Sequence, residues 1–140
     1  MTDERPVRVE PPDTVNPRRP SWMVDGMTAR LYEGTDPLAV VGESEAQDQL
    51  RMIIDEVGPD VVAILAPEPG HPFDPSAVAV WVSGWQVGYL ASGTAATYAP
   101  SVRRLAVDVP VALRGRIIAG GLGGQGLRLQ LSYDPKDFTA

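Results

Sequence analysis

The sequence predicts a mainly β fold with two helices, arranged as a small, partly open barrel. Three observations lead there. Short β-branched runs recur between turn signals, only two segments carry helical periodicity, and a Ser83-Gly84 turn joins two apolar runs as a hairpin. Many short strands with helices set between them favour a barrel over a doubly wound sheet.

Residues 1–36 read differently from the rest. They hold five of the fourteen prolines (Pro6, Pro11, Pro12, Pro17 and Pro20) and no sustained period of 2 or 3.6. Such a segment is expected to be a disordered or loosely docked arm, with 37–140 as the folded domain. Trp22, Met23, Met27, Leu31 and Tyr32 are its anchors, and the Met23, Met27, Leu31 spacing allows one short helix lying over the domain or on a partner.

From residue 37 each element has a local cause. PLAVVG (37–42) is a short buried strand ending at Gly42. SEAQDQLRMIIDEV (44–57) opens with Ser44 and Gln47 in capping-box spacing, and Leu50, Ile53, Ile54 and Val57 form an i, i+3, i+4, i+7 stripe. Gly58-Pro59 stops that helix, and DVVAILA (60–66) is the next strand. In AVAVWVSGWQVGYL, Ala77, Ala79 and Trp81 alternate with Val78, Val80 and Val82, and WQVGYL returns after the turn. Gly88 inside the return strand predicts a bulge or a close backbone approach.

Residues 92–105 form the second helical stretch, with Tyr98, Val102 and Leu105 on one face and Pro100 as a kink or restart. VDVPVALRGRIIAG (107–120) and LRLQLSY (127–133) make the last strand pair, joined by GGLGGQG. That connection lacks the Lys-Ser/Thr of a phosphate-binding P-loop and does not enter a helix.

Composition narrows the function. The chain has 140 residues, a formal charge of −6, no cysteine and one histidine. Disulfides, thiolate metal sites, Cys-His nucleophiles and His-rich metal sites are therefore excluded. No GxSxG elbow occurs, and the prolines would splay Glu68, His71 and Asp74 away from a common metal. The expectation is a non-enzyme with no cofactor and no metal. No leader-like apolar core or membrane-length apolar run is present, so a cytoplasmic protein is expected. An acidic chain is a poor sequence-blind coat for nucleic acid, although an end-recognition pocket needs few phosphate contacts.

PEPGHPFDPSAVAVW (67–81) concentrates the chemistry. Pro69, Pro72 and Pro75 stiffen a bend carrying His71, Phe73 and Asp74. Phe73 can stack on a nucleobase, a contact of about 1–3 kcal/mol. The Asp74 carboxylate only accepts hydrogen bonds, so it suits a hydroxyl and repels a phosphate. The alternative is structural, with Phe73 plugging the barrel end and Asp74 capping a turn.

VVGES-x-x-Q (40–47), PEPGHPFDPSAVAVW (67–81), QVGYL (86–90) and RIIAGG (116–121) together resemble a HIRAN domain, in order and spacing, over about residues 38–133. The resemblance implies an OB-like β-barrel and a module in DNA repair or replication that captures the 3′-hydroxyl end of single-stranded DNA. It puts Phe73 on the base, Asp74 on the terminal hydroxyl, His71 where the DNA-binding member has Asn, and Tyr89 where it has His. That member also has an Arg-Tyr pair where this chain has Ser44-Glu45, and a Lys where it has Ala91-Ser92. Ser44 and Ser92 thus stand where phosphate-gripping groups are expected. Residues 37–140 carry eleven acids and seven bases, a charge of −4, and Arg51, Arg103, Arg104, Arg114 and Arg116 are the candidates for a basic patch.

Two functions follow. One is a nucleic-acid-binding module taking a 3′ end through His71, Phe73, Asp74, Tyr89, Ser44 and Ser92. The other is a non-catalytic protein-interaction module, docking through the barrel or the N-terminal arm and keeping a vestigial DNA pocket.

Overall fold

The computed structural model describes residues 4–8, 28–120 and 126–139. The strands are β1 (Glu4–Arg8), β2 (Thr28–Tyr32), β3 (Asp36–Val41), β4 (Asp60–Pro67), β5 (Val78–Val82), β6 (Trp85–Leu90), β7 (Val111–Gly120) and β8 (Gly126–Tyr133). Helix α1 (Gln47–Glu56) lies between β3 and β4, and α2 (Ser92–Leu105) between β6 and β7. The expected mainly β, OB-like barrel with two helices is present.

Six strands close the barrel in the order β7-β4-β5-β6-β3-β8, with β8 returning to β7. Closure depends on the ten-residue length of β7. One edge of β7 pairs with β4 over Val111–Arg116. The opposite edge first takes β2 in parallel, at Val111 and Ala112, and then β8 from Arg114 to Ala119. The thinnest seam is β3–β6, where only Val40↔Leu90 and Val41↔Tyr89 are paired.

Two apolar clusters hold the sheet on its two sides. The larger contains Val78, Val80 and Val82 of β5 with Leu38, Leu65, Leu113 and Leu131, and it receives Leu50 and Ile53 from α1 and Ala99 and Val102 from α2. Full burial of a Leu or Ile contributes about 1.5–3 kcal/mol each, so α1 is anchored mainly by Leu50 and Ile53. The smaller cluster takes the alternate residues Ala79 and Trp81, with Ala29, Leu31, Ile64, Ala66 and Ala112. Both faces of β5 are therefore buried, which explains a continuous apolar run in an antiparallel strand.

The β5–β6 turn has positive φ at both central residues, Ser83 (50°) and Gly84 (83°), the twist that a two-residue hairpin favours. Pairing shifts between Val80↔Gly88 and Trp81↔Gln86, leaving Val87 as the extra residue of a bulge. Gly88 also makes the close approach expected of it. A Cβ there would stand 2.6 Å from the Val41 carbonyl oxygen and 2.7 Å from Val40 Cγ1.

Several local expectations are corrected. Thr28–Tyr32 is a strand with Ala29, Leu31 and Tyr32 buried, so the folded body begins before residue 37 and Leu31 does not continue a helix. Trp22, Met23, Met27 and residues 121–125 of the GGLGGQG connection lie outside the described residues. Ser44 does not cap α1. It sits in a 3₁₀ turn (Glu43–Ala46), and no side chain caps either the turn or the helix. Gln47 instead reaches β8: its Nε2 donates to the Leu127 carbonyl (2.8 Å) and its Oε1 accepts from Leu127 N (2.8 Å). Glu43 Oε2 accepts from Leu129 N (3.0 Å). These two side chains satisfy β8 beyond Gln130, where the β3 ladder ends. Helix α2 runs through Pro100 to Leu105 without restarting. Among the described residues, no helix is long and apolar enough to cross a membrane.

Candidate functional site

The stretch singled out in the sequence is the hairpin loop between β4 and β5. Glu68 N donates to Ala77 O (2.8 Å), extending the ladder one step past Pro67↔Val78. Two tight turns fill the loop, closed by His71 N to Glu68 O (3.0 Å) and by Ala77 N to Asp74 O (3.0 Å). Pro69 and Pro75 occupy the second position of these turns, where φ near −65° is wanted and no N–H is needed.

His71 supplies the brace between the turns. Its Nδ1 accepts from both Phe73 N and Asp74 N, each at 3.1 Å. A nitrogen that accepts carries no proton, so the neutral ring holds its hydrogen on Nε2. The imidazole stands edge-on to Phe73 (centroids 6.1 Å, 63°) and to Tyr89 (5.8 Å, 86°). The Tyr89 hydroxyl donates to Glu68 Oε1 (3.0 Å), tying β6 to the start of the loop. The other Glu68 oxygen, Oε2, is buried without a hydrogen-bond partner.

Phe73 is 90% exposed, so it does not plug the barrel. Asp74 divides its carboxylate. Oδ1 accepts from Ser76 N (2.9 Å) and caps the second turn, while Oδ2 has no hydrogen-bond partner among the described residues. The loop thus presents a flat apolar ring and one open carboxylate oxygen on a backbone already ordered. Such preorganisation lowers the entropic cost of binding.

The fold brings His71, Phe73, Asp74 and Tyr89 together, and adds Glu68, which the sequence raised only as a rejected metal ligand, through its bond to Tyr89. Its place directly after β4 was the available signal. Ser44 is exposed on the 3₁₀ turn packed beside β6, and Ser92 is exposed at the start of α2. Neither is hydrogen-bonded to the loop. No group of three or more His, Asp or Glu side chains suited to a metal occurs among the described residues.

The five arginines each engage a different neighbour. Arg51 pairs with Asp48 (3.5 Å), Arg114 with Glu33, and Arg116 with Asp60 (2.7 Å). Arg103 Nη1 donates to the Pro75 carbonyl (3.4 Å) and Arg104 Nη2 to the Thr139 carbonyl (3.5 Å). A groove of about 470 Å³ beside the loop is lined by Pro67, Pro69, Arg103, Ala106, Val107 and Asp108.

Against known proteins, no family model, curated protein or solved structure matches the chain.

Proposed function

We propose that this chain is a HIRAN-like nucleic-acid-binding module, acting in DNA repair or replication, that captures the 3′-hydroxyl end of single-stranded DNA. The observation that carries the reading is the pairing of a 90% exposed Phe73 with the adjacent open oxygen of Asp74. A terminal base stacks on the ring, and the free 3′-hydroxyl donates to Asp74 Oδ2. A 3′-phosphate would set anion against carboxylate and be rejected. His71 holds both residues by their backbone N–H groups, leaving the ring of Phe73 and Oδ2 of Asp74 for the ligand.

The test is a titration of fluorescent oligonucleotides that differ only at the 3′ terminus. The hydroxyl form should bind clearly tighter than the phosphate form, and Phe73→Ala should lose about 1–3 kcal/mol. Equal affinity for the two ends would remove the role given to Asp74.

A second reading, a protein-interaction module, is favoured by the formal charge of −6. In it Phe73 anchors in a pocket of a partner. Absence of single-strand binding at low salt, together with a partner lost on Phe73→Ala, would select it. Deleting residues 1–36 would not isolate the arm's contribution, because Leu31 and Tyr32 are core residues.

A further inference from the structure

A strand-binding surface needs a cation that can reach a phosphate, so arginines already matched by carboxylates are poor candidates. Arg51, Arg114 and Arg116 are matched in this way. Arg103 is not. It is exposed on the last turn of α2 and meets no carboxylate among the described residues. Its one hydrogen bond is to Pro75 O, the residue directly after Asp74. A guanidinium has five N–H donors, so most remain for a ligand. The fold therefore sets a guanidinium that makes no ion pair among the described residues against the same loop that carries Phe73 and Asp74, from a helix 28 residues further along.

The groove beside Arg103 adds a direction. Pro67, Pro69, Ala106 and Val107 give it an apolar wall, and Val107 is 78% exposed. Asp108 also lines it, and its carboxylate repels phosphate. A strand following this surface would keep its backbone on the Arg103 side and turn a base toward the prolines.

Resting on the end-capture reading, we propose that Arg103 grips the phosphate on the 5′ side of the terminal nucleotide, and that the adjoining groove receives the penultimate base. The chemistry of the end requires this order. When the 3′-hydroxyl lies on Asp74, the nearest charge of the ligand is the phosphate joining the last nucleotide to its neighbour. Arg103 would then supply the phosphate contact that Ser44 and Ser92 cannot.

The experiment compares wild type, Arg103→Ala, Arg103→Glu and Arg104→Ala, titrating a 3′-hydroxyl single strand over a range of salt. Arg104 is the control, since it is exposed next to Arg103 but bonds the chain near Thr139. Arg103→Ala should weaken binding about tenfold or more, as expected for a charged hydrogen bond. It should also reduce the log–log salt slope by about 0.7, one single-strand phosphate. The preference for hydroxyl over phosphate ends should survive in Arg103→Ala, because it belongs to Asp74. Arg103→Glu should weaken binding further, and Arg104→Ala should leave the slope unchanged. If Arg103→Ala keeps the wild-type affinity and slope while Phe73→Ala loses binding, Arg103 has no such role and end capture stands. If the wild-type protein does not bind the strand, or if Phe73→Ala and Asp74→Asn bind as wild type, both proposals fall.

Discussion

The imidazole Nδ1 of His71 accepts the backbone N–H of Asp74 at 3.1 Å, as it does that of Phe73. A side-chain acceptor at this position orders the two residues that face the ligand. Asn offers an oxygen at nearly the same reach, so His71→Asn should keep the loop. His71→Ala should free both N–H groups at a cost of about 1–2 kcal/mol. Hydrogen exchange at the Phe73 and Asp74 amides checks this. Unchanged protection in His71→Ala would show that the prolines alone hold the bend.

The weak β3–β6 seam gives a second prediction. Gly88→Ala places a methyl 2.6 Å from the Val41 carbonyl oxygen and should force β3 away from β6, costing about 1–3 kcal/mol. Gly93 has nothing within 4 Å of an added Cβ and lies in α2, so Gly93→Ala should stabilise by about 0.4–1 kcal/mol. Urea denaturation of the two variants should move the midpoint in opposite directions.

Gln47 makes a third test. Its three hydrogen bonds serve Glu43 O and both backbone groups of Leu127. Gln47→Leu would strand those groups beside α1 and should cost about 2–4 kcal/mol. Gln47→Glu keeps the acceptor but sets a carboxylate against the Leu127 carbonyl, so it should not rescue. A glutamate variant as stable as wild type would mean that Leu127 O finds another donor.

Stability at high pH should depend on Tyr133. Burial pushes its phenol up from 10.0 to about 12, helped by its hydrogen bond with Tyr98 and by the charges of Tyr98 and Asp36. The folded state thus holds the proton more tightly than the unfolded chain. The contribution is fully present below pH 10 and declines as pH rises toward about 12, because the unfolded state ionises first. Denaturation curves across that window should show a steeper loss for wild type than for Tyr133→Phe. Parallel losses would place the effect on other groups.

Much of the architecture was legible because it depends on neighbours along the chain. The Ser83-Gly84 turn needs two residues tolerant of positive φ, and the Leu50/Ile53 stripe needs only helical period. The proline-braced loop likewise carries its bend in Pro69, Pro72 and Pro75, whereas the sequence left open whether Phe73 plugs the barrel or faces solvent, and only the fold sets it 90% exposed. Other features arise from contacts between residues far apart, which no local pattern encodes. Gln47 reads as half of a capping box until β8 stands beside it with an unpaired backbone at Leu127. Leu31 reads as the end of an arm until β7 offers it an edge. The arginines look alike in sequence, and only packing decides that Arg51, Arg114 and Arg116 meet acids while Arg103 rests against the loop. Turn chemistry and periodicity are properties of short segments. Barrel closure and the neutralisation of a charge depend on which distant groups the folded chain sets side by side.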